Sequence, residues 1–206
     1  MYRRVSHPFL ALATIGLGAS IAPLDFAVNV AFPSITEAFA LQVHDIRWLV
    51  ITYVVTYAAL MLACGRLGDR VGHRAVFRVG LATGVLAFVA CGLAPSYAWL
   101  LAARALQGVA AALVLSCAPA LVVATCGAAR RTWALSRYTM SAAIASIIGP
   151  LAGGVAIAWM GWAGVFWFRL PVALLALLLL AALPPSPVPG RCAPRPPGAA
   201  RQHPVA

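Results

Sequence analysis

The residues of this sequence with the clearest capacity for chemistry are charged side chains that interrupt long apolar stretches. They are Asp25, Arg104 and Arg169. A charge held away from water is costly unless a cavity or an opposite charge accommodates it. A buried carboxylate without a partner favours its protonated form, whereas an adjacent guanidinium favours the ionised form. These residues therefore allow reversible proton binding at Asp25, electrostatic recognition of a cation by Asp25, or recognition of an anion by the two arginines.

The composition identifies the medium in which the chain folds. Hydrophobic residues make up 63% of the 206 residues and charged residues only 9%, whereas soluble domains carry about a quarter charged residues. The formal net charge of +11 comes from arginines in short clusters between apolar runs, so they do not form the single basic face of a nucleic-acid-binding protein. We predict an integral membrane protein whose partner is the lipid bilayer, with no nucleic acid.

Apolar runs of about 20 residues are long enough to cross a hydrocarbon core about 30 Å thick. Six such runs predict an all-α bundle of six transmembrane helices within residues 1–183. The approximate spans are 8–32, 47–65, 75–94, 98–124, 135–160 and 163–183. Residues 184–206 are rich in Pro, Arg, Ala and Gly, and such a segment cannot bury enough apolar surface to fold. We predict that these residues form a disordered cytoplasmic tail.

Arginines flank alternate connections between the spans. The arginine-rich segments contain Arg3 and Arg4; Arg66, Arg70, Arg74 and Arg78; Arg130, Arg131 and Arg137; and Arg191, Arg195 and Arg201. The other connections contain one arginine, Arg47. The positive-inside rule then predicts a multi-pass protein of the cell membrane with both termini in the cytoplasm. In this orientation the three buried charges lie roughly 5 to 10 Å to the outer side of the midplane, where they can meet in one cavity.

The turn after the second span carries the most specific motif. It reads Gly65-Arg66-Leu67-Gly68-Asp69-Arg70-Val71-Gly72-His73-Arg74 and resembles the G-x-L-x-D-R-x-G-x-[RK] signature of the major facilitator superfamily. Glycines allow a tight turn between packed helices, and Asp69 can face a positive helix end. The resemblance implies a latch that meets the carboxy-terminal half of the protein and holds one access state. The alternative is a charged turn that only fixes topology.

A second motif opens the fourth span. The residues Arg104-Ala105-Leu106-Gln107-Gly108 are similar to the superfamily's R-x-x-Q-G element. Arg104 and Gln107 are therefore candidates for proton coupling or substrate binding. The alternative for Arg104 is that its side chain extends to the outer interface, as long basic side chains can.

The fifth span contains Gly149-Pro150-Leu151-Ala152-Gly153-Gly154, which resembles the G-P-x-x-G-G element of exporters and antiporters in this superfamily. Gly149 and Gly153 share one helix face and allow close approach of another helix, while Pro150 favours a kink. We expect this face to make a moving contact with the other half of the protein, without a partner surface inside this chain. A simple packing motif is the alternative.

The first span adds Asp25 and Asn29. The segment Leu24-Asp25-Phe26-Ala27-Val28-Asn29 resembles an element of proton-linked drug exporters, with Ala27 in place of the usual Thr and a spacing one residue shorter. The segment from Trp162 to Pro171 resembles the start of the sixth span in the branch with fourteen helices, with Arg169 in place of Asn.

Together these resemblances imply the amino-terminal half of a major facilitator fold that exports drug-like or small-metabolite substrates by proton-coupled antiport. The proton gradient would supply the energy, with no cofactor. If the chain is truncated, a complementary carboxy-terminal half or a second copy would complete it. The alternative is a non-transporting membrane fragment of a decayed or frameshifted gene, or an accessory half. The sequence has no phosphate loop, metal cluster or nucleophile elbow, so we expect neither enzyme activity nor a metal.

Overall fold

The computed structural model describes residues 8–126 and 128–182, and within these ranges the chain forms helices and no β-strand. The α-helices are α1 (Pro8–Ser20), α2 (Ala27–Val30), α3 (Phe32–Ala38), α4 (Arg47–Val71), α5 (His73–Gly92), α6 (Tyr97–Cys126), α7 (Arg131–Met160), α8 (Gly164–Trp167) and α9 (Arg169–Ala182). Short 3₁₀ turns occupy Pro23–Phe26, Ala128–Arg130 and Gly161–Ala163.

Five helical stretches in the described part are long and apolar enough to cross a membrane. They are Leu10–Val30, Arg47–Val71, His73–Gly92, Tyr97–Cys126 and Arg131–Ala182. The last stretch has 52 residues, which at about 1.5 Å per residue is more than twice the length that a bilayer core requires. This stretch folds back at the 3₁₀ turn Gly161–Ala163, where the sequence predicted the connection between the fifth and sixth spans.

The reversal after α7 depends on two glycines. Gly161 ends the helix with a positive φ of 66°, a conformation that favours glycine. Gly164 then lies directly against α7, because a methyl group at this position would overlap the carbonyl oxygen of Ala156. The chain therefore reverses direction after α7. It continues as α8, which packs on α7, and then as α9, which packs on α1 and α5.

The first span, predicted as residues 8–32, is not a uniform α-helix. Helix α1 ends at Ser20, and the chain continues through the 3₁₀ turn Pro23–Phe26 into α2. Pro23 has no N–H to donate to the helix, and Asp25 N–H instead donates to the Ala22 carbonyl at 3.0 Å. This tighter turn determines where the carboxylate of Asp25 lies.

Two apolar clusters form the core, one towards each end of the bundle. The first includes Leu12, Phe77, Leu121, Ala134 and Leu180, and the second includes Val28, Leu49, Cys91, Leu100 and Phe166. Four buried polar residues fall in sequence between members of the two clusters: Ser20 on the first span, Arg104 and Gln107 on α6, and Arg169 on α9. A fifth, Thr14, lies between Leu12 and Ile15 of the first cluster. A polar layer therefore separates the two halves of the apolar core.

The outer surface is apolar as well. Large side chains with about two thirds of their surface exposed include Leu62 (70%), Leu86 (65%), Ile147 (67%), Leu151 (68%) and Leu178 (66%). Such a belt is unfavourable in water and suits lipid. The prediction of an all-helical membrane bundle is thus confirmed, whereas the cytoplasmic location of both termini stays a prediction. The predicted tail at 184–206 and the arginines before the first span lie outside the described residues.

Candidate functional site

Asp25 is at the centre of the buried polar layer. It lies on the 3₁₀ turn Pro23–Phe26, and its side chain is 11% exposed. Its Oδ1 atom accepts hydrogen bonds from Arg104, Gln107 and Arg169, while Oδ2 accepts one from Arg104. The structure therefore brings together four of the five residues that the sequence suggested for proton coupling or substrate binding.

Arg104 holds the carboxylate through both terminal nitrogens of its guanidinium. Nη1 donates to Asp25 Oδ1 at 2.7 Å and Nη2 donates to Oδ2 at 2.8 Å, the bidentate geometry in which arginine binds carboxylates most strongly. Nε donates to the backbone carbonyl of Leu49 at 3.1 Å, and the guanidinium lies 4.5 Å from the ring centre of Tyr53. The side chain is 1% exposed. It therefore points into the bundle, so the predicted alternative of a side chain that extends to the interface is wrong.

Gln107 lies one turn after Arg104 on α6 and bonds to both charged groups. Its Nε2 donates to Asp25 Oδ1 at 2.8 Å, and its Oε1 accepts from Arg104 Nη1 at 2.8 Å. Residues three positions apart share a helix face, which explains why the R-x-x-Q spacing delivers both side chains to one carboxylate. The neutral amide both donates to the carboxylate and accepts from the guanidinium, whereas a charged side chain at position 107 could do only one of these.

Arg169 approaches Asp25 from the start of α9. Nη1 donates to Asp25 Oδ1 at 2.5 Å, and Nε donates to the carbonyl of Val165 at 2.8 Å. The guanidinium lies 5.0 Å from the ring centre of Phe88 and 5.3 Å from that of Phe166, distances at which cation–π attraction operates. Nη2 has no hydrogen-bond partner among the described residues. These contacts hold a fully buried guanidinium against the carboxylate.

The cluster carries more positive than negative charge. Arg104 and Arg169 are 1% and 0% exposed, and the only acid that they contact among the described residues is Asp25. A buried ion pair needs close geometry and further hydrogen bonds to offset the desolvation of its charges. Here the carbonyls of Leu49 and Val165, the amide of Gln107 and three aromatic rings provide those additional interactions.

A cleft opens beside the cluster. It has a volume of about 310 Å³, and its wall includes Asp25, Asn29, Tyr53, Tyr57 and Arg104. Asn29 is exposed on this wall and stands apart from the hydrogen bonds of the cluster. The volume is within the range of small-molecule sites, which combine apolar and aromatic walls with a few polar groups.

A larger cavity of about 520 Å³ lies between α1, α7 and α9 and does not reach the cluster. Its wall is almost entirely apolar, with Arg137 and Ser141 among its few polar residues. The chemistry of the polar layer is therefore accessible from the smaller cleft.

The latch motif forms the turn between α4 and α5. Gly72 has a φ of +105° at this turn, and Gly68 fits closely, because a methyl group there would lie 2.5 Å from His73 Nδ1. Asp69 is largely exposed and lies 3.3 Å from His73 Nε2. Arg74 Nη2 donates to the carbonyl of Leu180 at 2.7 Å, which joins the turn to the end of α9. Gly65 and Arg70 lie on the last turns of α4, and Arg70 is exposed.

The glycines of α7 have a partner within this chain. A methyl group at Gly149 would lie 3.1 Å from the carbonyl oxygen of Leu24, and one at Gly153 would lie 2.7 Å from Ala27 Cβ. The expectation that this small face lacks a partner surface in the chain is therefore wrong. Gly154 faces open space, with no atom within 4 Å of such a methyl group, and Pro150 lies inside α7 without ending it.

Some contributors to the site could not be found from sequence. The carbonyls of Leu49 and Val165 accept hydrogen bonds from the two arginines, but a backbone group carries no residue signature. Phe88 is one of many aromatic residues in apolar spans, and only the fold shows that it lies against Arg169. Tyr53 and Phe166 likewise lie against a buried guanidinium.

A helical membrane bundle with a buried ion cluster at the wall of a cleft has the architecture of a membrane transport protein. The sequence profile of the Major Facilitator Superfamily matches residues 9–205. The chain belongs to this superfamily, and it is a multi-pass protein of the cell membrane.

Relatives with known names include drug-resistance proteins. The chain is 36% identical over 172 residues to the Multidrug resistance protein Stp of Mycobacterium tuberculosis, covering 82% of this chain and 32% of that protein. It is 35% identical over 171 residues to the Methylenomycin A resistance protein of Streptomyces coelicolor, covering 82% and 35%. It is 31% identical over 173 residues to the Tetracenomycin C resistance and export protein of Streptomyces glaucescens, covering 84% and 32%. The chain therefore spans about a third of the length of these relatives.

Proposed function

We propose that this chain forms the amino-terminal six-helix half of a proton-coupled exporter of drug-like or small-metabolite molecules. The observation that carries the proposal is the position of Asp25. Its side chain is 11% exposed at the wall of the cleft, where it contacts the almost fully buried side chains of Arg104 and Arg169. A group that exchanges protons across a membrane needs access to water and a charge partner in the low-dielectric interior. Asp25 meets both requirements.

The proposed coupling follows because a proton and the two arginines compete for the carboxylate of Asp25. With both arginines in contact, the ionised form of Asp25 is favoured, and in an access state where these contacts loosen, the protonated form becomes easier to reach. If the two access states face opposite sides of the membrane, the carboxylate takes up a proton on one side and releases it on the other. The proton gradient then drives the change of access, and no covalent chemistry or cofactor is involved.

The walls of the cleft support a small organic substrate. Phe26, Tyr53 and Tyr57 contribute aromatic surface beside the carboxylate, with Asn29 and Ser146 as neutral polar groups. Aromatic walls with few polar groups suit drug-like molecules. The names of the relatives support the same class, because they refer to multidrug resistance, methylenomycin A and tetracenomycin C.

A second bundle would complete the cleft. The relatives are about three times as long as the matched segment, and transporters of this kind bind substrate between two bundles that rock against each other. We propose that a complementary carboxy-terminal half, or a second copy of this chain, provides the opposite wall. The arginine-rich turns would face the cytoplasm and the latch around Asp69 would contact that second bundle.

The second candidate is a non-transporting membrane fragment or an accessory half. The limited length of the chain relative to its relatives favours this candidate, because a single bundle provides only one wall of a cleft. Proton-driven uptake of a fluorescent drug-like dye into inverted membrane vesicles separates the candidates. Vesicles that contain this chain alone are compared with vesicles that also contain the carboxy-terminal half of a relative.

The proposed function predicts dye uptake that collapses when a protonophore removes the gradient, either with the chain alone or after addition of the second half. Vesicles that contain a full-length relative show that the assay detects uptake. If the chain inserts and the relative transports, but neither combination exceeds empty vesicles, the fragment hypothesis replaces the exporter.

A further inference from the structure

The turn that carries Asp25 rests directly on two glycines of α7. Gly149 packs against Leu24, and Gly153 packs against Ala27. The two contacts therefore lie on either side of Asp25 in the sequence. A methyl group at Gly149 would meet the backbone of Leu24, with the carbonyl oxygen at 3.1 Å and Cα at 3.2 Å. Backbone atoms cannot rotate away as the end of a flexible side chain can. Any added volume at this position therefore shifts the turn itself.

The contact at Gly153 is closer still. A methyl group there would lie 2.7 Å from Ala27 Cβ and 3.3 Å from Ala27 Cα, whereas non-bonded carbon atoms prefer a separation of about 3.5 to 4.0 Å. Relief of this overlap requires a displacement of roughly 1 Å. Ala27 begins α2 immediately after the 3₁₀ turn Pro23–Phe26, so such a displacement is transmitted to Asp25 two residues earlier.

The arginines cannot follow such a shift. The Nε atoms of Arg104 and Arg169 are bonded to the carbonyls of Leu49 and Val165, and both guanidiniums lie against aromatic rings. The four hydrogen bonds to the Asp25 carboxylate measure 2.5 to 2.8 Å. A displacement of about 1 Å would take several of them beyond the usual limit of about 3.2 Å.

We propose that Gly149 and Gly153 are positioning residues, whose missing side chains set the distance between Asp25 and its two arginines. This role deepens the proposed function and rests on it for its consequence in transport. It differs from a contact between two halves of the protein, because the partner of both glycines is the Asp25 turn in the same bundle. Small residues at these positions therefore control how readily Asp25 exchanges a proton.

The chain offers a matched control and a rescue. Gly154→Ala adds the same methyl group to the same helix, where no atom lies within 4 Å. Removal of the Ala27 methyl group in the double variant Gly153→Ala/Ala27→Gly eliminates the closest contact, and Ala27→Gly alone measures the cost of the second change. Gly149→Ala provides an independent variant with a milder overlap.

The experiment is an infrared pH titration of the purified chain of 206 residues in lipid. It follows the band of the protonated carboxyl that Asp25→Asn removes. The pH profile of proton-driven dye uptake is measured on the same variants. A carboxylate with a looser arginine partner binds protons at higher pH, so we expect the infrared midpoint of Gly153→Ala to rise by about one pH unit. Gly154→Ala should match the parent, and the double variant should return towards Ala27→Gly.

Equal midpoints for Gly153→Ala and the parent would overturn the proposal, and so would equal shifts in Gly153→Ala and Gly154→Ala. If Gly153→Ala does not fold, Gly149→Ala carries the same two comparisons. A shift in the infrared midpoint without dye uptake by any variant, the parent included, either alone or with the second half, would support the positioning role and reject the exporter function. Dye uptake by the parent with unshifted midpoints in the glycine variants would support the exporter function and reject the positioning role.

Discussion

Arg104 holds both oxygens of the Asp25 carboxylate, at 2.7 and 2.8 Å, across 79 positions of sequence. This pair joins the first span of the bundle to α6 at the level where the apolar core is interrupted. The removal of one partner from a buried ion pair costs about 3 to 5 kcal/mol, because the other charge is left without compensation. The stability of the bundle and the chemistry of the cleft therefore depend on the same contact.

Arg104→Ala should destabilise the bundle by about 3 kcal/mol or more. The variant loses the bidentate pair and the bond to the Leu49 carbonyl, although Arg169 remains beside Asp25. The midpoint of thermal unfolding in detergent measures the effect. Arg70→Ala is the control, since Arg70 is exposed and surface substitutions usually change stability by about 0.5 kcal/mol or less. Equal midpoints for the two variants would mean that the buried pair is not stabilising.

Asp25→Asn should reduce proton-driven export to background while the chain still inserts into the membrane. The amide keeps the shape of the side chain but does not change charge on proton binding. The measurement is dye uptake into inverted vesicles at equal amounts of inserted protein, with the parent required to transport. Glu37→Gln neutralises an exposed acid on α3 and should leave uptake unchanged. Full gradient-dependent uptake by Asp25→Asn would remove this carboxylate from the coupling mechanism.

Gly72→Ala should lower the stability of the turn between α4 and α5. The backbone of Gly72 has φ 105° and ψ 125°, a conformation that costs a residue with a side chain on the order of 1 to 3 kcal/mol. Thermal unfolding provides the measurement. Gly65→Ala tests the same motif without this strain, because its added methyl group would make an ordinary contact of 3.9 Å with Ser116 Cβ. If Gly65→Ala is the less stable of the two, the backbone argument fails.

The predicted orientation can be tested with single cysteines in a variant whose native cysteines are replaced by alanine. Arg70→Cys places a thiol in the arginine-rich turn, and Val43→Cys places one in the connection after α3, where Val43 is 85% exposed. A membrane-impermeant thiol reagent added to intact cells should label Val43→Cys and leave Arg70→Cys unlabelled until the cells are opened. The opposite pattern would invert the topology.

Hydropathy and charge were sufficient to predict the helical membrane bundle, because a bilayer requires long apolar helices whatever their partners are. Asp25, Arg104 and Arg169 were predicted to be functional because a charge deep in the membrane needs compensation. The counting of residues along the spans suggested that they can meet, and in the structure they do. The sequence was informative here because the membrane fixes depth.

The sequence did not predict how each helix is rotated about its axis, and this rotation decides which side chains meet. The first span changes from an α-helix to a 3₁₀ turn at Pro23. The direction of the Asp25 side chain depends on that turn, and an ideal α-helix would not reproduce it. The face of α7 that contains Gly149 and Gly153 was recognisable, but its partner was not, since small residues suit any close helix contact. Only the packing shows that this partner is the backbone around Leu24 and Ala27.

The three charged side chains of the cluster differ in how much of their surface is exposed. The side chain of Asp25 is 11% exposed, whereas those of Arg104 and Arg169 are 1% and 0% exposed. A molecule in the cleft would therefore contact mainly the acid, because Arg104 lines the same cleft but is almost fully buried, and Arg169 is fully buried. In the proposed mechanism a proton would be exchanged at this edge of the cleft while both arginines keep their bonds to the backbone.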